Sequence, residues 1–231
     1  MRFEKKIIEG IFISRPNRFN AKVILDNEEI IVHVPNTGRC KEILKEGTRV
    51  FLREENNPTR KTKYDLIAAM KGETLINIDS QVPNKVVNEA IINKKIKGLE
   101  KYNIVSREKT FGKSRFDFKL LTDNEEEVYY LEVKGVTLEE NNNSKFPDAP
   151  TERGSKHIYE LIEAKKQGLG AGILFLIQLD NVKTFSPNIE RDPKFYEALK
   201  LAKEAGVDIF AFNCKVYKDE IELKDKVEII I

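Results

Sequence analysis

The sequence has few of the residues on which several common classes of site depend. It contains only two cysteines, Cys40 and Cys214, which lie far apart, and only two histidines. These counts exclude a Cys/His zinc site and favour two reduced thiols over a disulfide framework. The sequence also lacks a GxSxG nucleophile motif and a GxxxxGK phosphate-binding motif.

Long apolar runs are also absent. No stretch approaches the roughly 18 apolar residues of a membrane span, and "MRFEKKIIEGIFISR" lacks a signal-peptide core. We therefore expect a cytoplasmic protein with no membrane partner. The 231 residues are 40% hydrophobic and 34% charged, which is typical of a globular chain with one large or two modest domains. The net charge of +2 indicates no particular partner.

The first 80 residues predict short strands separated by turn-prone stretches. The segments are "KIIEGIFIS", "NAKVILD", "EEIIVHV", "RVFLRE", "YDLIAAMK" and "TLINID". Strands of this number and length favour a small barrel or sandwich, and an OB-like barrel fits the size. Periodicity alone does not separate such a barrel from another small β fold.

From residue 83 the pattern becomes mixed. A helix is predicted from Pro83 to Gly98, with Glu89 beside Ile92 and Ile96. Strands and amphipathic helices then alternate, which predicts α/β layering. One of these helices is predicted to begin at Asp192–Pro193 and to end at Gly206. The segment "EENNNSKFPDAPTERG" is predicted to be a polar loop. The expected domains are therefore 1–82 and 83–231.

One short strand, "YYLEVKGVT", places Glu132 and Lys134 on the same face, because residues two apart in a strand point the same way. Asp117, in "SRFDFKLL", precedes them across the polar turn "TDNEEE", so antiparallel pairing would bring Asp117 beside Glu132. Two carboxylates suit Mg²⁺, and a neighbouring lysine can hold a water or a phosphate. The alternative is a solvated surface ion pair.

Basic residues also cluster in three places. Arg153, Lys156 and His157 surround the start of a predicted helix, which favours phosphate binding there. "RPNRF" and "RKTKY" place cations beside aromatic rings, as single-stranded nucleic-acid surfaces do. The alternative for each cluster is an ordinary solvated surface. The turn in "HVPNTGR" offers backbone N–H groups, and its histidine, His33, is interpreted as structural when taken alone.

The sequence resembles the sugar fermentation stimulation protein A family along almost its whole length. The resemblance rests on "RPNRFNAKV", "HVPNTGR", "NPTRKTKYDL", "VPNKVVNEAI", "SRFDF", "YLEVKGVTL", "FPDAPTERGSKHIYEL" and "DPKFYEALKLAKEAGVDI". It implies an N-terminal OB-like barrel, a C-terminal PD-(D/E)xK nuclease-like α/β domain, and a DNA-binding role linked to sugar metabolism, notably maltose. By motif, the nuclease core corresponds to Asp117, Glu132 and Lys134, with Glu89 on the first helix and Lys156 as an auxiliary cation.

The resulting expectation is a DNA-binding protein with a Mg²⁺- or Mn²⁺-dependent nuclease site, the metal being held by Asp117 and Glu132. The residues expected to contact nucleic acid are Arg15, Arg18, Phe19, His33, Asn36, Arg60, Lys61, Arg153 and His157. The alternatives are a DNA-binding regulator without catalysis and an enzyme that acts on RNA or nucleotides. The strand form and the oligomeric state stay open, a homodimer being one option.

Overall fold

The computed structural model describes residues 1–231. The N-terminal part of the chain forms a closed β-barrel. The strands of this sheet are β1 (Ile7–Ser14), β2 (Asn20–Leu25), β3 (Glu28–His33), β4 (Arg49–Glu54), β5 (Tyr64–Lys71) and β6 (Thr74–Asn77), and β6 pairs with β5 outside the closed barrel. Their order is β3-β2-β1-β4-β5-β6, and the pairing of β3 with β5 closes a five-stranded barrel. Inward-facing residues such as Ala21 and Val23 on β2 are fully buried, as the period of two requires. The prediction of a small barrel is confirmed.

The rest of the chain contains three helices and ten strands. In chain order they are α1 (Val82–Ile92), β7 (Ile104–Phe111), β8 (Ser114–Leu121), β9 (Val128–Val136), β10 (Glu139–Glu140), β11 (Asn143–Phe146), α2 (Glu152–Lys166), β12 (Gly170–Ile177), β13 (Thr184–Pro187), α3 (Pro193–Glu204), β14 (Asp208–Val216), β15 (Ile221–Lys226) and β16 (Glu228–Ile229). None of the three helices combines the length and apolar character that crossing a bilayer requires.

A six-stranded sheet of order β15-β14-β12-β9-β8-β7 organises the second part of the chain. Strands β9, β12 and β14 are parallel, and the outer pairings are antiparallel. Helix α1 packs on one face through Val87 and Ile91, while α2 and α3 cover the other through Ile158 and Phe195. The predicted α/β layering is confirmed, and β9, which carries Glu132 and Lys134, lies inside the sheet.

The predicted polar loop at 139–154 is partly wrong. Strands β10 and β11 form within it and join a second sheet of order β10-β11-β13-β16. In that sheet Asn143 pairs with Thr184 and Phe146 with Pro187. These short polar strands are stabilised by partners distant in sequence, so local periodicity does not reveal them.

The ends of α3 were predicted correctly, whereas the start of α2 and the end of α1 were not. Helix α2 begins at Glu152, inside the predicted loop, and Thr151 is its N-cap. Helix α3 begins after Asp192, whose Oδ1 accepts a hydrogen bond from Phe195 N at 3.0 Å, and Gly206 follows it with a φ of +80°. Helix α1 ends at Ile92 rather than near Gly98, because the chain turns at Lys94, which has a φ of +55°.

A buried charge network joins the barrel to the second domain. Arg53 on β4 donates to Glu55 at 2.7 Å, to Asp65 at 2.9 Å and to Asp79 at 2.8 Å. Asp65 and Asp79 are 3% and 1% exposed, so their charges depend on this guanidinium. Asp79 then accepts from Gln81 N at 2.9 Å, directly before α1. The first sheet ends at residue 77 and α1 begins at residue 82, and the domain boundary at 82/83 stays a prediction.

Candidate functional site

Strands β8 and β9 bring Asp117 and Glu132 together. Their antiparallel register pairs Phe118 with Leu131, so Asp117 continues the ladder towards Glu132. At that point the side chain of Asp117 serves as the hydrogen-bond acceptor for β9: its Oδ2 accepts a hydrogen bond from Val133 N at 2.8 Å. The strand pairing expected from the sequence is confirmed.

Glu132 is the most buried carboxylate of this group, with 3% exposure. Its Oε1 accepts hydrogen bonds from Lys134 Nζ and from His157 Nδ1, both at 2.5 Å. Burial alone would raise the pKa of Glu132, but the hydrogen bond from His157 and the charge of Lys134 hold the pKa below its ordinary value. The carboxylate is therefore ionised at neutral pH.

The second oxygen of Glu132, Oε2, is buried and has no hydrogen-bond partner. A buried charged oxygen without a partner is costly, so such atoms mark places where a ligand or ion belongs. Because Lys134 and His157 both hold Oε1, the carboxylate is fixed with Oε2 available.

Asp117 is half-buried and has the opposite pKa shift. Burial and the negative charge of Glu132 raise its pKa, while hydrogen bonds from Val133 N and the Asn84 amide partly offset the rise. Asn84 Nδ2 donates to Oδ1 of Asp117 at 2.6 Å. The two carboxylates therefore repel each other, and a cation placed between them would relieve the repulsion.

The donor atoms present fit a hard divalent cation. Glu132 Oε2 and the Asp117 carboxylate are oxygen donors, which Mg²⁺, Mn²⁺ and Ca²⁺ prefer. No group of three or more Asp, Glu, His or Cys side chains converges as a ready-made metal cage anywhere in the chain. A cation held here would rely on two carboxylates and complete its coordination with water, as Mg²⁺ commonly does.

Glu89, which the resemblance places in the nuclease core, lies apart from Asp117 and Glu132. Its Oε2 is 3.1 Å from the amino group of Met1, and its side chain is 48% exposed. Asn84 is five residues earlier on α1, which places the two side chains about 140° apart around the helix axis. Helix α1 therefore presents Asn84 to the site, while Glu89 faces the N-terminus of the chain.

Sequence reasoning missed Asn84, although a signal was present. Asn84, Val87 and Ile91 follow the spacing of one buried helix stripe, and the two apolar members are fully buried. A polar residue on such a stripe needs a buried partner, and Asp117 is that partner.

Replacing Asn84 by alanine is expected to weaken divalent-cation binding about tenfold or more, as loss of an outer-shell hydrogen bond to a ligand does. The carboxylate of Asp117 would lose a donor that orients it and lowers its pKa. Calorimetric titration with Mn²⁺ measures the effect. Asn88→Ala is the matched control, since Asn88 is half-buried on the same helix. Equal affinity in wild type and Asn84→Ala would show that the amide plays no part.

The three basic residues at the start of α2 differ in burial: one is buried and two are exposed. His157 is 5% exposed and contacts Glu132, while Lys156 is exposed and donates to the carbonyl of Lys113 at 3.0 Å. Neighbouring residues of a helix point about 100° apart, so burying one side chain turns the other outward. Arg153 is exposed on the first turn of α2. Of this cluster, only His157 contacts one of the two carboxylates, that of Glu132.

Four of the barrel residues predicted to contact nucleic acid form hydrogen bonds to other groups of the protein. His33 and Arg60 both contact Asp65, and Asn36 donates to the carbonyl of Ile78 at 2.7 Å. Arg15 is the fourth, and its guanidinium donates to four backbone carbonyls, those of Arg18, Asn36, Gly38 and Arg39.

The other three remain available at the surface. Arg18, Phe19 and Lys61 are exposed, and the Arg18 guanidinium lies 5.5 Å from the centre of the Phe19 ring.

A cavity of about 970 Å³ lies elsewhere, at the N-terminal ends of α2 and α3. It contains neither Asp117 nor Glu132, and side chains of both charge signs line it. The mixed charge of this cavity therefore indicates no particular class of ligand. The buried carboxylates of Asp117 and Glu132 are the stronger indication of a catalytic or metal-binding site.

Comparisons with known proteins agree with this architecture. The family model for the SfsA N-terminal OB domain matches residues 13–78, and the model for the sugar fermentation stimulation protein RE domain matches residues 81–220. A sugar fermentation stimulation protein homolog from Clostridium perfringens (strain SM101 / Type A) is 68% identical over 231 residues, 100% of both chains. A homolog from Clostridium tetani is 64% identical over 231 residues, again 100% of both.

A solved structure is also similar over the full length. The structure of Pyrococcus furiosus SfsA in complex with Ca²⁺ has a TM-score of 0.90 and 30% sequence identity, and the match covers 100% of both chains. The predicted fold class, an OB barrel followed by a nuclease-like α/β domain, is thereby confirmed.

Proposed function

Since the chain belongs to the sugar fermentation stimulation protein family, we propose that it binds DNA and carries a divalent-metal-dependent phosphodiesterase site of the PD-(D/E)xK type. The observation that carries the proposal is the unpaired, buried Oε2 of Glu132 beside the carboxylate of Asp117. Retaining this arrangement without a cation would cost free energy.

Asp117 and Glu132 would hold Mg²⁺ or Mn²⁺. A bound ion of this class lowers the pKa of a water molecule and stabilises charge on a phosphoryl oxygen. The relative from Pyrococcus furiosus, solved in complex with Ca²⁺, supports a preference for cations that bind oxygen ligands.

Lys134 and His157, which both contact Oε1 of Glu132, would have different roles. Lys134 Nζ, with a side chain that is 16% exposed, holds Oε1 of Glu132 and is placed to orient a water or the scissile phosphate. The buried position of His157 suits a residue that orients Glu132 rather than one that holds the DNA backbone. In this proposal DNA binding is also the physical basis for a regulatory link to sugar (maltose) metabolism.

A cleavage assay tests the proposal. Wild-type protein is incubated with single-stranded DNA, duplex DNA or RNA of equal length, in Mg²⁺, Mn²⁺ or EDTA. We expect DNA cleavage that requires the metal and stops in EDTA. Intact DNA in every lane, with binding confirmed in parallel, would overturn the phosphodiesterase and leave a DNA-binding regulator. Cleavage of RNA alone would assign the enzyme to RNA.

A further inference from the structure

We propose that a single nucleic-acid strand reaches the site along a groove on the barrel that leads into a pocket between the two domains. This inference rests on the proposed function, because it concerns how the substrate of that site is held. The groove has a volume of about 490 Å³ and lies between the β1–β2 loop and residues 37–46. We call it the cationic groove.

The lining of the cationic groove is strongly positive. Arg18, Arg39 and Lys41 line it, are exposed, and have no acidic partner within ion-pair distance, while Glu46 is the one acidic residue in the lining. Unpaired cations on one surface are the electrostatic footprint of a polyanion. Among soluble polymers, the phosphate backbone of a nucleic acid has the charge density that such a surface complements.

Arg15 keeps the walls of the groove in place. Its four carbonyl acceptors belong to both walls, with Arg18 in the β1–β2 loop and Asn36, Gly38 and Arg39 in the facing loop. Asn36 adds two hydrogen bonds, one to the carbonyl of Ile78 at 2.7 Å and one from Gly38 N at 2.6 Å. The groove is therefore preorganised, and binding a strand does not have to order these loops.

The groove continues into a second pocket at the domain junction. Thr37 and Gly38 line both cavities, and the second cavity, of about 170 Å³, is also lined by Gly135 and Thr137. Gly135 directly follows Lys134 on β9, so the junction pocket connects the groove to the strand that carries the site. Gly38 lies against the second domain at this junction, since a Cβ atom there would lie 2.8 Å from Oδ2 of Asp148.

The dimensions favour a single strand over a duplex. A junction pocket of about 170 Å³ is smaller than the roughly 300–1,000 Å³ of ordinary ligand pockets, so it accommodates part of one nucleotide. Phe19, beside the groove-lining Arg18, is 52% exposed and offers a ring on which an unpaired base can stack.

The charge of the groove is tested with the double variant Arg39→Glu/Lys41→Glu. Binding of a fluorescein-labelled oligothymidine is measured by anisotropy in EDTA, so that cleavage does not enter. We expect affinity to fall at least about tenfold, and the slope of log K against log salt to fall by about 1.4, which corresponds to two lost phosphate contacts. Lys97→Glu/Lys200→Glu makes the same charge change at exposed positions outside the groove and should leave both values near those of wild type.

The path through the junction is tested by thiol protection. Cys40 and Cys214 are buried, so Thr37→Cys introduces the single exposed thiol. With the oligothymidine at about ten times its dissociation constant, modification of this thiol by a maleimide should slow about tenfold. Lys200→Cys, modified under the same conditions, should react at an unchanged rate.

The two proposals fail in distinguishable ways. Unchanged affinity in the groove variant, or an unprotected thiol at position 37, would overturn the strand path even if the wild type cuts DNA. A protected thiol and weakened binding would support the path even if no metal produces cleavage. Stronger binding of a duplex than of a single strand, with the same protection, would overturn the choice of a single strand.

Discussion

Glu132→Gln and Asp117→Asn are each expected to reduce metal-dependent DNA cleavage by at least about 10³-fold, which corresponds to roughly 4 kcal/mol of transition-state stabilisation. Each variant replaces a charged ligand by a neutral amide, so the cation loses half of its carboxylate donors. Initial rates of oligonucleotide cleavage in Mn²⁺ measure the loss. In the metal-free protein the two substitutions should shift stability in opposite directions.

Glu132→Gln should destabilise the metal-free protein by about 1–3 kcal/mol, because a neutral amide oxygen accepts hydrogen bonds from Lys134 and His157 more weakly than the buried carboxylate does. The pKa of Glu132 lies below its ordinary value in the folded state. Its contribution to stability is therefore present above the ordinary glutamate pKa and is lost as the pH falls below it. The difference between variant and wild type should shrink in acid.

Asp117→Asn should stabilise the metal-free protein. The folded-state pKa of Asp117 is raised by burial and by Glu132, so ionisation at neutral pH opposes folding. The contribution of this group is favourable at pH values below its unfolded pKa and is lost as the pH rises through the raised pKa. The neutral asparagine removes the repulsion while it keeps an acceptor for Val133 N.

Thermal unfolding in EDTA and in Mn²⁺ separates these effects. Wild type should gain about 2.7 kcal/mol when Mn²⁺ is at a hundred times its dissociation constant, and neither variant should gain it. Glu127→Gln is the control, since Glu127 also pairs with a lysine but is 54% exposed. Stabilisation by Mn²⁺ that persists in both variants would show that the ion binds elsewhere.

Arg53→Ala is expected to reduce the free energy of unfolding by about 3–5 kcal/mol, the usual effect of removing one partner from a buried ionic network. Arg53 is 14% exposed and donates to three carboxylates, those of Glu55, Asp65 and Asp79. Its loss would leave buried negative charges next to one another. Urea unfolding followed by circular dichroism measures the change.

Arg49→Ala is the matched control for this prediction. Arg49 lies on the same strand, is 54% exposed, and is 3.9 Å from Glu9, so its loss should cost at most about 1 kcal/mol. Similar losses in the two variants would contradict the view that the network around Arg53 is more than a surface ion pair.

Local patterns predicted most of the regular elements. The period of two identified the barrel strands and placed Glu132 and Lys134 on one face of β9, where their side chains meet. Asp192 and Gly206 predicted the ends of α3, because a cap side chain and a left-handed glycine act within one turn. The antiparallel pairing of β8 with β9 followed from a short polar turn.

Elements without such local signals were missed or misplaced. Strand β11 pairs with β13 about forty residues later, so nothing near Asn143 indicates a strand. Helix α1 ends because Lys94 takes a left-handed conformation, which is uncommon for lysine and cannot be predicted from its side chain.

The sequence by itself determined most of the strands and helices, including the strand that carries Glu132 and Lys134, because periodicity and turns are properties of neighbouring residues. The fold class, an OB-like barrel followed by a nuclease-like domain, followed from the resemblance of several motifs to a known family rather than from periodicity. Only the tertiary structure decided the composition of the candidate site. It turned Asn84 rather than Glu89 towards Asp117, and it buried His157 against Glu132 while Lys156 faced outward. Each of these choices depends on how a helix is rotated against the sheet, and that rotation is set by packing between residues far apart in the chain.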